Sequence, residues 1–427
     1  MTLANPAPNI ARWLGAGALW GVVVAAALGL SVPARAQTGT LEQYLLAAAA
    51  NSPAVGDLGY QLGMLGIDSA EVHARQRPQV DGTGQVLYAP SGAHWGYDPA
   101  ITNGGLYAAM VGASIPLFAG NRLQSALDSV GVQNLVLRAV LQDTLLELGR
   151  RITEQYISAY ADQRALQLAQ ERLRLMAVED TVITRLTAHG IYQQTDVLGL
   201  RVNLHAQQIT AAQAEAQLHK DLRLLYALCG IKETALTELA PPGPTPSAAF
   251  DPANTPRMQR YVADSLVNAV ANRRVDLYYR AQLRAVGDAG LDAITIGDIP
   301  NRFGASAGLN LQVPIFDGGR RKLEHQRVAL KEATRKGYRD FLSEQLLQRH
   351  ALLMDAAVRA DSLVADYRRQ YAEEEQLINL YRVELGQALV RPTDLFLTLN
   401  DHARTADAMV QAEADRERTL NELIHLQ

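Results

Sequence analysis

Val313-Pro314-Ile315-Phe316-Asp317-Gly318-Gly319-Arg320 is the second appearance of a pattern first met at Ile115-Pro116-Leu117-Phe118-Ala119-Gly120-Asn121-Arg122. Proline, phenylalanine, glycine and arginine recur in the same order about 198 residues apart, a long internal period of the kind that marks duplication. Each copy closes an alternating segment and opens a very long one of helical period. A proline here costs a ladder hydrogen bond, so Pro116 and Pro314 suit a corner where the chain leaves a sheet. Phe118 and Phe316, with Gly120 and Gly318 behind them, mark the change of structure.

Upstream of the second copy, Phe303, Ala305, Ala307, Leu309, Leu311, Val313 and Ile315 alternate with Gly304, Ser306, Gly308, Asn310 and Gln312. A strand over about 303–316 is the clearest in the chain and long enough to cross a bilayer at a tilt. Upstream of the first copy, Tyr107 to Leu117 carries its apolar set in the same phase, giving a strand at about 105–118. A further strand is expected at about 79–89, with Val80, Val86 and Tyr88 on one side and Asp81, Thr83 and Gln85 on the other. The weakest is expected at about 291–299, after a helix from Tyr261 to about Gly287. The glycine- and proline-rich stretch from Ala89 to Gly105 is a loop.

Downstream of each copy the chain is helical. Leu123 through Tyr156 steps by threes and fours, and the helix at about 120–189 runs on the order of 100 Å at 1.5 Å per residue. Its counterpart covers about 318–385. Gly190 and Gly386 end these helices, and return helices follow at 195–230 and 393–427, the first capped by Thr195 or Asp196. A helix at Leu41–Gln76, interrupted at Asn51-Ser52-Pro53, precedes the first strands. The domain plan is therefore a repeat over 37–240, a proline-rich linker over 241–258 and a second repeat over 259–427.

Residues 1–36 read as a secretory signal: Arg12, an apolar run from Trp13 to Leu30, and Ala34-Arg35-Ala36 before Gln37. Cys229 is the single cysteine, which excludes an internal disulfide and a multi-cysteine metal site. The net charge is −4, and about −6 without Arg12 and Arg35, so nucleic-acid binding has no electrostatic support. No later apolar run is long enough for a spanning helix. Membrane contact must come through strands.

Four strands cannot close a barrel, whose smallest form needs about eight, and a sheet in lipid must close to satisfy its backbone. Several copies could close one, and three would bring twelve strands. The fold class expected is mainly α with a small transmembrane β part: two tandem helix-strand-strand-helix-helix repeats, their long helices packed into an α-barrel.

On the duplicated Pro-x-Phe-x-Gly-x-Arg junction, the helix-end Gly190 and Gly386, and the restarts Thr195-Asp196-Val197-Leu198 and Thr393-Asp394-Leu395-Phe396, the chain resembles the TolC-type outer membrane efflux protein family. The resemblance implies a homotrimeric channel in the outer membrane of a Gram-negative bacterium, extending into the periplasm and working with a periplasmic adaptor and an inner-membrane pump in efflux or type I secretion. It places the gate at the turns Leu186–Leu198 and Val383–Leu397. There Asp394 matches an aspartate that rings the entrance, and Arg382 and Arg391 are candidates to pair with it across protomers. The second aspartate of that ring falls at Leu397, and two more residues separate Gly386 from Asp394 than Gly190 from Asp196. Asp394 also reads as a helix N-cap.

No enzyme, cofactor or metal site is expected. Gly304-Ala305-Ser306-Ala307-Gly308 fits the serine-hydrolase elbow, but that motif needs a strained turn rather than a strand interior. His73, His189, His325 and His402 show no metal-ligand spacing, and no glycine loop for phosphate is present. Glu373-Glu374-Glu375 reads as a solvated helical face. Tyr88, Trp95, Tyr97, Tyr107 and Phe118 bracket the first hairpin as an interfacial aromatic girdle does. The alternative expectation is an exported coiled-coil adaptor or structural protein whose strands form a soluble domain. Strand phase separates the two, since lipid demands an unbroken apolar side on every strand.

Overall fold

The computed structural model describes residues 39–90, 92, 94–96, 98, 100, 105–118, 121–232, 237–243 and 250–426. The expected signal peptide, Tyr97, Gly120 and the linker residues 244–249 lie outside the described residues. In chain order the elements are α1 (Leu41–Asn51), α2 (Pro53–Ala74), β1 (Gln79–Tyr88), β2 (Gly105–Phe118), α3 (Arg122–Ala188), α4 (Gln194–Cys229), α5 (Pro256–Tyr278), β3 (Gln282–Ala293), β4 (Phe303–Gln312), α6 (Arg320–Gly386) and α7 (Pro392–Ile424). Short 3-10 turns cover Pro252–Asn254 and Ile296–Asn301. None of the described helices is long and apolar enough to cross a membrane.

The chain divides into two compact units. The first takes residues up to Gly59, Leu141–Thr255 and Ser343 onward, and is helical. Its largest side chains are withdrawn from solvent because α3, α4, α6 and α7 each turn an apolar stripe inward. Tyr44, Ile152, Tyr156, Leu222, Leu225 and Cys229 form one cluster, and Ile183, Leu200, Ile378, Leu385, Leu395 and Phe396 lie in another. The Tyr156 hydroxyl, fully buried, donates to Ala240 O at 2.6 Å, with Gly39 O at 2.9 Å. Gln163 accepts from the Leu239 N–H at 2.8 Å and donates to its carbonyl at 3.1 Å. Buried backbone at both extended segments is thereby satisfied by side chains of α3.

The second unit takes Tyr60–Val140 and Pro256–Leu342. It holds an antiparallel sheet in the order β1-β2-β3-β4, so β1 and β4 are edges with one hydrogen-bonded neighbour each. The register pairs Gly82 with Val111, Val111 with Ala289 and Ala289 with Ala305 across all four strands. It slips once, between Pro116 and Phe118, where the proline supplies no donor.

Three expectations need correcting. The third strand is Gln282–Ala293 rather than 291–299, and the helix before it ends at Tyr278 rather than near Gly287. Arg284, Asp288 and Asp292 recur every four residues, a spacing that fits a helix face and one side of a strand equally. The β-branched residues from Ile294 onward instead form the connection to β4, folded into a 3-10 turn. The fourth strand ends at Gln312, and Val313–Asp317 leave the sheet before α6. Gly386 is the last residue of α6, as expected, and the left-handed residue of the turn that follows is Ala388, with φ 59°.

Candidate functional site

The sheet sorts its residues by chemistry. On one face the register aligns Val80, Val86 and Tyr88 of β1 with Tyr107, Val111 and Ile115 of β2, then Ala285, Ala289 and Leu291 of β3, then Phe303, Ala307 and Leu309 of β4. The positions between them on that face are alanine, glycine or leucine. The opposite face carries Gln79, Asp81, Thr83 and Gln85, then Ser114, then Arg284, Asp288 and Asp292, then Ser306, Asn310 and Gln312. Every charged residue of the four strands lies there, and Ser306 donates to Asp288 at 2.7 Å. Val80, Val86, Val111, Phe303, Leu309 and Leu311 are exposed in the chain. A face that is apolar on every strand, backed by one that holds every strand charge, is what a sheet between lipid and water requires.

Ser306 lies inside β4, where no nucleophile elbow can form. Of the girdle candidates, Tyr88, Trp95 and Phe118 are exposed, whereas Tyr107 is buried.

The two copies of the junction meet at one ring. Arg122 donates to Leu277 O (3.0 Å) and Tyr278 O (2.7 Å), covering carbonyls that the end of α5 leaves without helical partners. Its guanidinium and that of Arg320, the matching residue of the second copy, each stand 5.9 Å from the Tyr278 ring centre. The residue preceding each arginine is left-handed: Asn121 at φ 63° and Gly319 at φ 87°, after Gly318 at 64°. Asparagine and glycine tolerate that conformation best. Pro116 pairs with Arg284 and Phe118 with Leu283 at the slip in register. Pro314 and Phe316 lie past β4, where Ile315 and Phe316 stand almost fully exposed.

Both turns between long and return helices follow one geometry. After α3, Gly190 is left-handed at φ 74°, and Ile191 N–H reaches back to Leu186 O at 3.1 Å. After α6, Ala388 takes that place, and Leu389 N–H reaches Glu384 O at 3.0 Å. The next helix is capped by Gln193 in one turn and Arg391 in the other, so neither Thr195, Asp196 nor Asp394 is the N-cap. Counted from the left-handed residue, Asp196 and Asp394 hold the same position, and the offset counted from Gly386 disappears. The Asp196 carboxylate accepts the Gln193 N–H at 3.0 Å. Asp394, exposed in the first turn of α7, has no side-chain partner among the described residues, and its charge suits the helix N-terminus.

The turns are tied together by Tyr192, which no pattern in the sequence singles out, and by Arg382, which pairs with a partner other than the expected Asp394. The Tyr192 hydroxyl donates to Val390 O at 2.8 Å, with Leu385 O at 3.2 Å. Arg382 donates to the buried Glu179 at 2.6 Å within the same chain. Each partner lies about two hundred positions away, and no local pattern announces it. Further along, Glu373 and Glu375 are exposed, but Glu374 turns inward, accepting from Thr405 and Gln370 at 2.9 Å each and standing 3.5 Å from His402 Nδ1. Burial holds His402 below the ordinary histidine range, and its ring stacks on Tyr371. No cluster of metal-ligating side chains occurs among the described residues.

A sheet with an apolar face backed by one that holds all its charges, joined to helices of this length, is an arrangement whose fold recurs in known outer-membrane channels. Residues 66–231 match the family model described as outer membrane efflux protein, and the chain resembles that family. Solved structures agree in fold. The open-state MtrE outer membrane channel of Neisseria gonorrhoeae superposes with a TM-score of 0.72 at 14% identity, covering 90% of this chain and 88% of its own. The outer membrane protein VceC of Vibrio cholerae gives 0.70 at 10%, covering 90% and 95%, and the CmeC outer membrane channel of Campylobacter jejuni 0.70 at 9%, covering 95% and 93%. No curated protein matches the chain in sequence. The matched family is one of outer-membrane efflux proteins.

Proposed function

We propose that the protein is the outer-membrane component of a tripartite efflux pump or a type I secretion system, a passive conduit from periplasm to exterior. The observation that carries this reading is the sorting of the sheet, in which all strand charges share the face opposite an unbroken apolar one. The open edges of β1 and β4 support closure by other copies, because unpaired backbone in hydrocarbon costs several kcal/mol per group. Three chains supply twelve strands with the apolar face to lipid and Asp81, Arg284, Asp288 and Asp292 to a water-filled lumen. A periplasmic adaptor and an inner-membrane pump supply contact and energy. The turns at Gly190 and Ala388 form the periplasmic gate, with Asp394 at its entrance.

Expression in a Gram-negative host, fractionation and mild-detergent electrophoresis test the reading. The expected result is a trimer in the outer-membrane fraction that conducts ions in planar bilayers, with cation preference reduced in Asp394→Ala. A protein recovered from the periplasm without detergent, or a monomer in mild detergent, favours the coiled-coil adaptor instead.

A further inference from the structure

The second unit contains a groove of about 590 Å³ between the start of α3, the end of α5 and the start of α6. Its polar lining is unbalanced: Arg122, Arg274, Arg320, Arg327 and Lys331 against the single carboxylate of Glu324. The chain as a whole carries a net charge of −4, so this excess is local. Glu324 is shared, lying 3.2 Å from Arg327 and 3.9 Å from Arg320. Arg274 and Lys331 have no acidic partner among the described residues. Arg122 gives its donors to backbone carbonyls rather than to an acid, and burial lowers its pKa accordingly. Between the cations run Val270, Val275 and Val328, with Tyr278 and Tyr279 at one end.

Position supplies the rest. Arg122 lies four residues after the last residue of β2, and Tyr278 and Tyr279 lie three or four residues before β3, so the groove opens at the foot of the sheet. From there it follows α6 to Lys331, about 16 Å at 1.5 Å per residue. The headgroup layer beyond a hydrocarbon core is roughly 5–8 Å deep on each side. Where the strands cross the bilayer, the upper groove stands level with the phosphates of the periplasmic leaflet. Tyrosines at that level and cations just outside it are the order a membrane interface selects.

We propose that the upper end of this groove is a binding site for the phosphate headgroup of an anionic phospholipid, with Arg320 beside Tyr278 and Arg274 one helical turn below it on the phosphate, and Arg327 and Lys331 adding positive potential from further down. The site rests on the channel reading given above, because the strands set its depth. It gives the channel a preferred lipid and fixes its height in the membrane.

The test uses the delipidated trimer in mild detergent, titrated with phosphatidylglycerol, phosphatidylethanolamine or glycerol phosphate and weighed by native mass spectrometry. Wild type is expected to retain phosphatidylglycerol over phosphatidylethanolamine, and Arg274→Gln with Arg320→Gln to reduce that retention about tenfold. Both positions are exposed, so the fold is spared, and a heat-resistant trimer band checks this. Equal retention of the two lipids, or retention unchanged in the double variant, overturns the site. Displacement of phosphatidylglycerol by equimolar glycerol phosphate overturns the lipid in favour of a soluble phosphate. A chain that never forms an assembled membrane trimer overturns the channel reading itself, a result distinct from a trimer without lipid preference.

Discussion

The sheet and the helical unit treat large apolar side chains in opposite ways. In the helical unit Ile152, Tyr156, Leu225 and Leu385 are fully buried, and the chain builds its own dry interior. In the sheet Val86, Val111, Leu309 and Leu311 are all exposed, and among the described residues no second layer covers them. The first arrangement is stable by packing alone. The second is stable only where the solvent itself is apolar.

The largest expected effect breaks the sheet side of that contrast. Ala307→Arg places a charge mid-strand on the apolar face, at a cost of about 2–4 kcal/mol in every copy. Membrane-inserted trimer is expected to disappear from the outer-membrane fraction. Ser306→Arg, one residue away on the polar face beside Asp288, is expected to insert as wild type does. Equal behaviour of these two variants would remove the lipid-facing assignment.

Ile152→Ala attacks the other side. It opens a cavity in the cluster around Tyr156 and is expected to cost about 2–5 kcal/mol. A lowered midpoint in the helical circular-dichroism melt, with insertion of the sheet unaffected, would keep the two regions separate. Loss of insertion along with helix stability would join them.

A smaller effect depends on pH. Burial, and then a hydrogen bond with Asp221, raise the Asp162 carboxyl to about 7. The unfolded value is about 3.9, so between these values the folded state holds a proton that the unfolded state has lost. Stability is then greatest on the acid side of the window and falls as pH rises through about 7. Asp162→Asn is expected to raise the thermal midpoint by a few degrees at pH 8 and to change little at pH 4. A midpoint at pH 8 identical to wild type would count against the buried acid pair.

The smallest effect lies at the turns. Ala388 holds a left-handed conformation that costs about 1 kcal/mol for a residue with a Cβ. Ala388→Gly is expected to stabilise by that amount and Gly190→Ala to destabilise by a similar one, read as opposite shifts in chemical denaturation. Shifts of the same sign would show that the two turns are not equivalent.

The sequence revealed the molecule where one period dominated. The alternation ending at Ile115 and the long runs after Arg122 and Arg320 each fit a single structure, and the strands and helices lie there. Gln282–Ala293 was hidden because charges spaced by four satisfy both periods and its apolar set is small. Gly386 drew attention as the only glycine near the second turn, although the geometry falls to an alanine two residues on. The tie between Arg382 and Glu179 and the shared ring of Tyr278 had no local signal at all. Such contacts belong to the folded chain alone, brought together across long separations.

The borders of the sheet have a consequence for manufacture. On the channel reading, a copy not yet assembled carries two strands, β1 and β4, whose outer backbone groups await a neighbour. Until siblings arrive, those strands can join any extended peptide nearby. On that reading assembly is a race whose pace rises with the supply of fresh copies and whose losing outcome is clumping.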